Sequence, residues 1–327
     1  MKSHASFAAP VGLLAVVLAI NGCSIGPSVS GSFDRSYPVT GPLRLELTNA
    51  SGDVHIKGSA DGKVHVHGDV RSSGMGADSA RKQLDEFTAN PPIEQKEDTI
   101  RIGRESSHLH NISVSYTIEV PHATQVTTTV ASGSQDIQGV AGPVKMQSAS
   151  GAIRADHIDR DTQLTSASGS VDATDIGDDV RASSSSGEVS VANAKGDVRI
   201  NALSGDVRVT KPGGRVEAET ASGSVDVQGA ANDVKAHSSS GRISIQGNPS
   251  PNSYWELKTV SGALQLSVPP AANFQLSAAA TSGDIRADIP IVIEEQGKHS
   301  LRAHVGNGGA RVEVHSTSGN IHISGSN

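Results

Sequence analysis

The sequence predicts an all-β chain folded as one parallel β-solenoid, a β-helix of 18-residue coils with two short strands each, plus one short N-terminal helix. Three observations predict it. Ser-Gly pairs recur every 18 residues, at Ser132-Gly133, Ser150-Gly151, Ser168-Gly169, Ser186-Gly187, Ser204-Gly205, Ser222-Gly223 and Ser240-Gly241; Gly262 and Gly283 follow at intervals of 21, and Gly319 after 36. Apolar residues recur two and four positions after each glycine, as in Ile153 and Ala155 or Val207 and Val209. A second alternating pair follows nine positions later, as in Val180 and Ala182 or Val198 and Ile200. Alternation with period two marks a half-buried strand, and a fixed period over this length marks stacked units that bury their apolar sides against their neighbours.

Within a coil, glycine supplies a bend that would strain a residue with a Cβ, and the preceding serine is placed to bond its own backbone or the next serine in the stack. The column from Ser132 and Gly133 to Ser240 and Gly241 is therefore a structural corner ladder rather than a row of nucleophiles. Corresponding strands stack in parallel, so that buried backbone groups pair with the coils above and below. The inward columns are Val, Ile, Leu and Ala, with aromatics at 2% and one Trp, which implies a narrow core whose stability accumulates along the stack. From Gly133 to Gly319 the chain spans 186 residues. That is a little over ten coils, a rod of roughly 50 Å at about 4.8 Å per coil. The general bias of parallel crossovers favours a right-handed coil.

Taken in order from the amino terminus, residues 1–22 have the form of a secretory signal. Lys2 precedes an apolar stretch from about Phe7 to Ile20, shorter than the roughly 20 apolar residues of a membrane span. The ending Ile20-Asn-Gly-Cys23 resembles a bacterial lipoprotein signal, whose lipobox closes on an obligatory Cys. That resemblance implies lipidation of Cys23, palmitate included, and a membrane anchor at the new amino terminus. Ser24, where Asp would mark inner-membrane retention, implies the outer membrane of the bacterial cell envelope. Cys23 is the only cysteine, so no intramolecular disulfide is open to the chain.

Residues 23–38 are expected to be the lipidated Cys and a flexible tether, Ser24 to Ser36 being rich in Ser and Gly. The solenoid then fills residues 39–327. Its first coils are irregular: Leu43 to Leu47 alternates, Val54 and Ile56 follow Ser51-Gly52, and Val64 and Val66 come next. Residues 77–87 place Ala80, Leu84 and Phe87 on one face of a short helix expected to lie over an open end or flank of the rod. Strands at Thr99 to Ile102 and Ile112 to Val120 lead into regular coils over about 130–250. The C-terminal coils are irregular again: the 36-residue interval suggests a coil replaced by a hairpin, after the run Asp288 to Ile293. The chain closes on Gly319 to Ser324, a strand expected to leave an open edge for another protein or a second copy.

The Ser-Gly-x-Val/Ile-x-Val/Ile coils, the lead-in Val114-Ser-Tyr-Thr-Ile-Glu-Val-Pro121, and the closing Val305 to Val314 followed by Ser318-Gly319-Asn-Ile together resemble the bacterial putative-adhesin domain family of unknown function, over roughly residues 40–324. The resemblance implies a β-solenoid and an extracellular class of protein, and carries over no binding residues.

The outward chemistry points to binding rather than turnover. Polysaccharide-cleaving solenoids need clustered carboxylates and aromatic platforms, whereas the outward positions here are mostly Ser, Thr, Asp, Arg, Lys and Gln. Arg154 and Asp172, and Arg208 and Asp226, stand one coil apart as stacked opposite charges. Asp161, Asp179, Asp197 and Asp233 form a column of the kind that binds calcium in nonapeptide solenoids, but Arg215 interrupts it, and Arg181, Arg199 and Lys235 sit two residues from its members. Of 13 histidines, the pairs His65/His67 and His108/His110 are the candidate metal ligands, and solvent-facing strand positions account for them as well. A net charge of −7 with no basic block argues against nucleic acid. The expectation is a non-enzymatic, lipid-anchored envelope protein without cofactor, whose repetitive surface meets an unknown protein or surface ligand in adhesion or binding. The alternatives are a periplasmic structural or regulatory protein docking a partner complex and, more distantly, a polysaccharide-active enzyme.

Overall fold

In the computed structural model, which describes residues 28–39, 41–73, 76–103 and 111–326, the chain winds between two sheets whose inner faces share one apolar core. Among the described residues one sheet holds 14 strands and the other 15. The regular run, β8 (Gln125–Ser132) to β21 (Ile243–Gly247), adds one strand to each sheet per coil, and every pairing within it is parallel. Register keeps like with like: Val171, Val189, Val207, Val225 and Ile243 stack in one inward column. Each is 1% exposed or less. The one Trp, Trp255, is 0% exposed, and its indole N–H donates to the Asn232 carbonyl at 2.7 Å.

The corners show why glycine is required. Gly151 has φ +131° and a Cβ there would lie 2.2 Å from the Gly133 carbonyl oxygen; Gly205, at φ +151°, would bring one within 2.1 Å of the Gly187 oxygen. Both a left-handed backbone and the closeness of the neighbouring coil exclude a side chain. The same approach lets the ladder turn the corner without a break, since Gly151 N–H donates to the Ser168 carbonyl at 3.0 Å and Ile153 N–H to the Ser170 carbonyl at 2.9 Å.

Both ends depart from simple stacking. At the start, β1 (Ser28–Pro38) pairs antiparallel with β4 (Lys63–Ser73), so the stretch expected to be tether is ordered strand from Ser28 onward. The physical reason is local: Phe33 is buried against Phe87 and Tyr116, and Gly68 leaves room for its ring. The first coil, β2 (Arg44–Ser51) and β3 (Val54–Ser59), is not the outermost. It lies between β8 and β9 (Gln135–Val140) on one side and β6 (Thr99–Ile102) and β7 (Ile112–Pro121) on the other. Helix α1 (Ala77–Ala89) buries Ala80, Leu84 and Phe87 over β1 and β4, and Gly31 lets Leu84 approach the strand. β5 (Ile93–Lys96) pairs antiparallel with β6 and forms the edge of the second sheet.

The far end mirrors this. The coil β22 (Tyr254–Ser261) and β23 (Leu264–Val268) does not pair with the next one in sequence, β24 (Phe274–Ser282) and β25 (Ile285–Ala287). The last coil, β28 (Ala310–Ser318) and β29 (Ile321–Gly325), is inserted between them. A hairpin of β26 (Val292–Gln296) and β27 (Ser300–Val305) then pairs antiparallel with β24. The final strand is therefore an interior rung, and the expectation of an open edge at Gly319 to Ser324 is corrected. The edges at this end are β25 and β26.

Candidate functional site

Each coil offers its neighbours the same outward positions, so the chemistry of this molecule is arranged in columns. In the ladder column the serines and glycines from Ser132-Gly133 to Ser240-Gly241 stand in register, and the serine carbonyls accept the glycine N–H of the preceding coil. The hydroxyls that bond to the glycine corners of the adjoining coil belong to another, buried column, three residues before each glycine. Thr220, Ser238, Thr259 and Ser316 each donate to a glycine carbonyl of the adjoining coil, at 3.0 to 3.4 Å. In the same column the hydroxyls of Ser148, Ser166 and Ser184 are buried without a partner.

The aspartate column is also built into the ladder. Asp179 accepts the Asp197 N–H at 2.9 Å, Asp197 the Arg215 N–H at 2.8 Å, and Asp233 the Tyr254 N–H at 2.9 Å. One oxygen of each is thus committed to the next coil's backbone, and the Arg215 guanidinium sits 3.2 Å from Asp233. Nearby, Glu217 lies between Lys235 at 2.9 Å and Arg199 at 2.7 Å. The hydrogen bond from Lys235, then that from Arg199, holds its carboxyl below the usual range. Arg154 and Asp172 are register partners, as are Arg208 and Asp226, but the Arg208 guanidinium turns to Glu188 instead.

Of the histidine pairs, His65 and His67 both face β1: His65 Nδ1 lies 2.8 Å from Ser36 Oγ, and His67 Nδ1 lies 2.8 Å from Asp34. His67 Nε2 is 3.4 Å from Asp69. These residues latch the first strand to β4. Cys23, His108 and His110 lie outside the described residues, as does the signal segment.

Depressions among the described residues include one on a long face and one at a corner. A groove of about 960 Å³ crosses the outer face of β2, β8, β10 (Val144–Ser150) and β12 (Thr162–Ser168), floored by Thr48, Thr129, Gln147 and Thr165 and by the small residues Ala131 and Ala149. A cleft of about 440 Å³ follows the opposite corner, where His157, Asp175, Asn193 and Lys211 form a column with φ between +51° and +56°. Sequence reasoning missed this column. Its signal was present: Gly139 and Gly229 occupy the same position one coil beyond either end of the column and share the positive φ, and His, Asp and Asn tolerate that conformation best among residues with side chains.

No helix among the described residues is long and apolar enough to cross a membrane. A family model described as Toastrack DUF4097 matches residues 45–229 and 215–324. No curated protein matches. Solved structures similar to this chain include a putative cell adhesion protein from Clostridium sporogenes ATCC 15579, 12% identical over 91% of this chain and 100% of that one, with a TM-score of 0.20. A putative lipid binding protein from Parabacteroides distasonis ATCC 8503 is 11% identical over 90% and 97%, with a TM-score of 0.36. A putative adhesin from Bacteroides fragilis NCTC 9343 is 13% identical over 90% and 97%, with a TM-score of 0.25.

Proposed function

This chain belongs to the Toastrack DUF4097 family, and from that premise we propose that it is a non-enzymatic binding module, lipid-anchored through Cys23 to the outer membrane of a bacterial envelope. The observation that carries the reading is the in-register repetition of outward polar side chains at one-coil spacing along both faces. Such an array meets a partner by many weak, equally spaced contacts, which add up to useful avidity when geometry lets them engage together. The antiparallel strands β1, β5 and β26 take three of the four sheet edges, which favours the long faces, and the groove across β2 to β12 offers a recess there. Buried aromatics support a non-enzymatic role, because Trp255, Phe274 and Tyr116 are core residues rather than platforms for sugar rings.

The anchor is tested by fractionating cells that express the full chain or its Cys23→Ala variant. Release of the variant into the soluble fraction supports the reading; a variant that stays membrane-bound contradicts it.

A further inference from the structure

Asp156 and His157 stand near the end of β11 (Ile153–Ile158), and Asp175 occupies the His157 position one coil later. One donor atom from each of the three lies within 4.8 Å of the others. His157 Nδ1 is 2.9 Å from an Asp156 oxygen, and Nε2 is 3.5 Å from Asp175 Oδ2. The second oxygen of Asp175 accepts a hydrogen bond from Asn193 Nδ2 at 2.8 Å. Asn193 therefore orients a carboxylate without competing for the position between the three donors, the arrangement by which outer groups aim metal ligands.

We propose that Asp156, His157 and Asp175 form a surface site for one divalent transition-metal ion of the zinc class. The donor set selects the class: calcium and magnesium favour shells of oxygen alone, whereas one imidazole with two carboxylates suits zinc and its neighbours. The ion takes one ring nitrogen of His157 and one oxygen from each carboxylate, displaces the direct contacts between them, bridges adjacent coils, and keeps its remaining positions for water. His157 is 68% exposed, so the ion has an open approach from the cleft. Asp159 adds a further carboxylate to that cleft, while Lys195 and Lys211 line the part belonging to later coils. The site is independent of the anchor and of the groove.

The test is calorimetric titration of the metal-stripped full chain with zinc sulfate. The expected result is one equivalent of saturable binding in the micromolar range, at least tenfold weaker in His157→Asn and in Asp175→Asn. Asparagine keeps a residue that tolerates positive φ at both positions, and matched thermal melts show that the variants fold. His322→Gln, which removes a histidine 2.8 Å from Asp288 at the far end, is expected to match the unsubstituted chain. An isotherm that either asparagine substitution leaves unchanged overturns the site, as does the absence of saturable binding below about 1 mM.

Discussion

At Gly205 an added Cβ would meet the Gly187 carbonyl oxygen at 2.1 Å, and φ is +151°. Gly205→Ala is therefore expected to cost roughly 2 to 4 kcal/mol by chemical denaturation, whereas Gly41→Ala, with nothing within 4 Å, stays within about 0.5 kcal/mol. The buried hydroxyl column gives a second contrast. Ser238 donates to Gly223 at 3.0 Å, while the Ser166 hydroxyl has no partner. Ser238→Ala should lose about 1 kcal/mol, and Ser166→Ala should be neutral or stabilising. His67 supplies a pH test. Its hydrogen bond to Asp34 raises its pKa above the ordinary imidazole value, outweighing desolvation. A raised folded pKa means that the latch on β1 contributes fully below the unfolded value of about 6.5 and is lost as pH rises through the folded one. The pair is exposed to solvent, so the stability change is a few tenths of a kcal/mol at most, about the size of a surface ion pair. The pKa itself is the sharper readout, and in an NMR titration Asp34→Asn should bring it back down.

At the scale of elements, the inserted coils decide how the ends behave. Removing residues 310–327 takes out the rung between β22/β23 and β24/β25, leaving the outer coil and its hairpin without a parallel partner. Calorimetry of that deletion is expected to show the C-terminal portion melting early as a separate transition, since stability in a stack passes through nearest neighbours. A single transition at the original temperature would contradict the assigned order. The regular coils were legible from the sequence because inward Val and Ile repeat at fixed offsets from Gly151, Gly169 and the rest. The order of the end coils was not, because those offsets identify the members of a coil and say nothing of which coil lies beside it. β2/β3 and β28/β29 carry the same inward pattern as any other rung. β1 escaped notice for a different reason: its inward positions are Val29, Gly31, Phe33, Arg35 and Tyr37, and the glycine and the arginine break the apolar alternation. The His157 column was hidden because its meaning lies in a backbone conformation that a varied set of side chains can adopt.

For the whole molecule, the 14 strands of one sheet, at about 4.8 Å each, make a rod of roughly 60 Å. Only residues 24–27 separate Cys23 from β1, a reach of less than about 20 Å. Under the proposed anchoring, a lipid on Cys23 would hold the N-terminal end close to the bilayer, with the long faces and their groove extending from that end. Protease shaving of intact cells expressing the full chain, with a periplasmic protein as control and an antibody to the solenoid as probe, tests the central claim of an exposed binding rod most directly. The prediction is digestion of the solenoid while the control survives. Full protection of both would contradict an outward-facing adhesive role and place the partner inside the envelope.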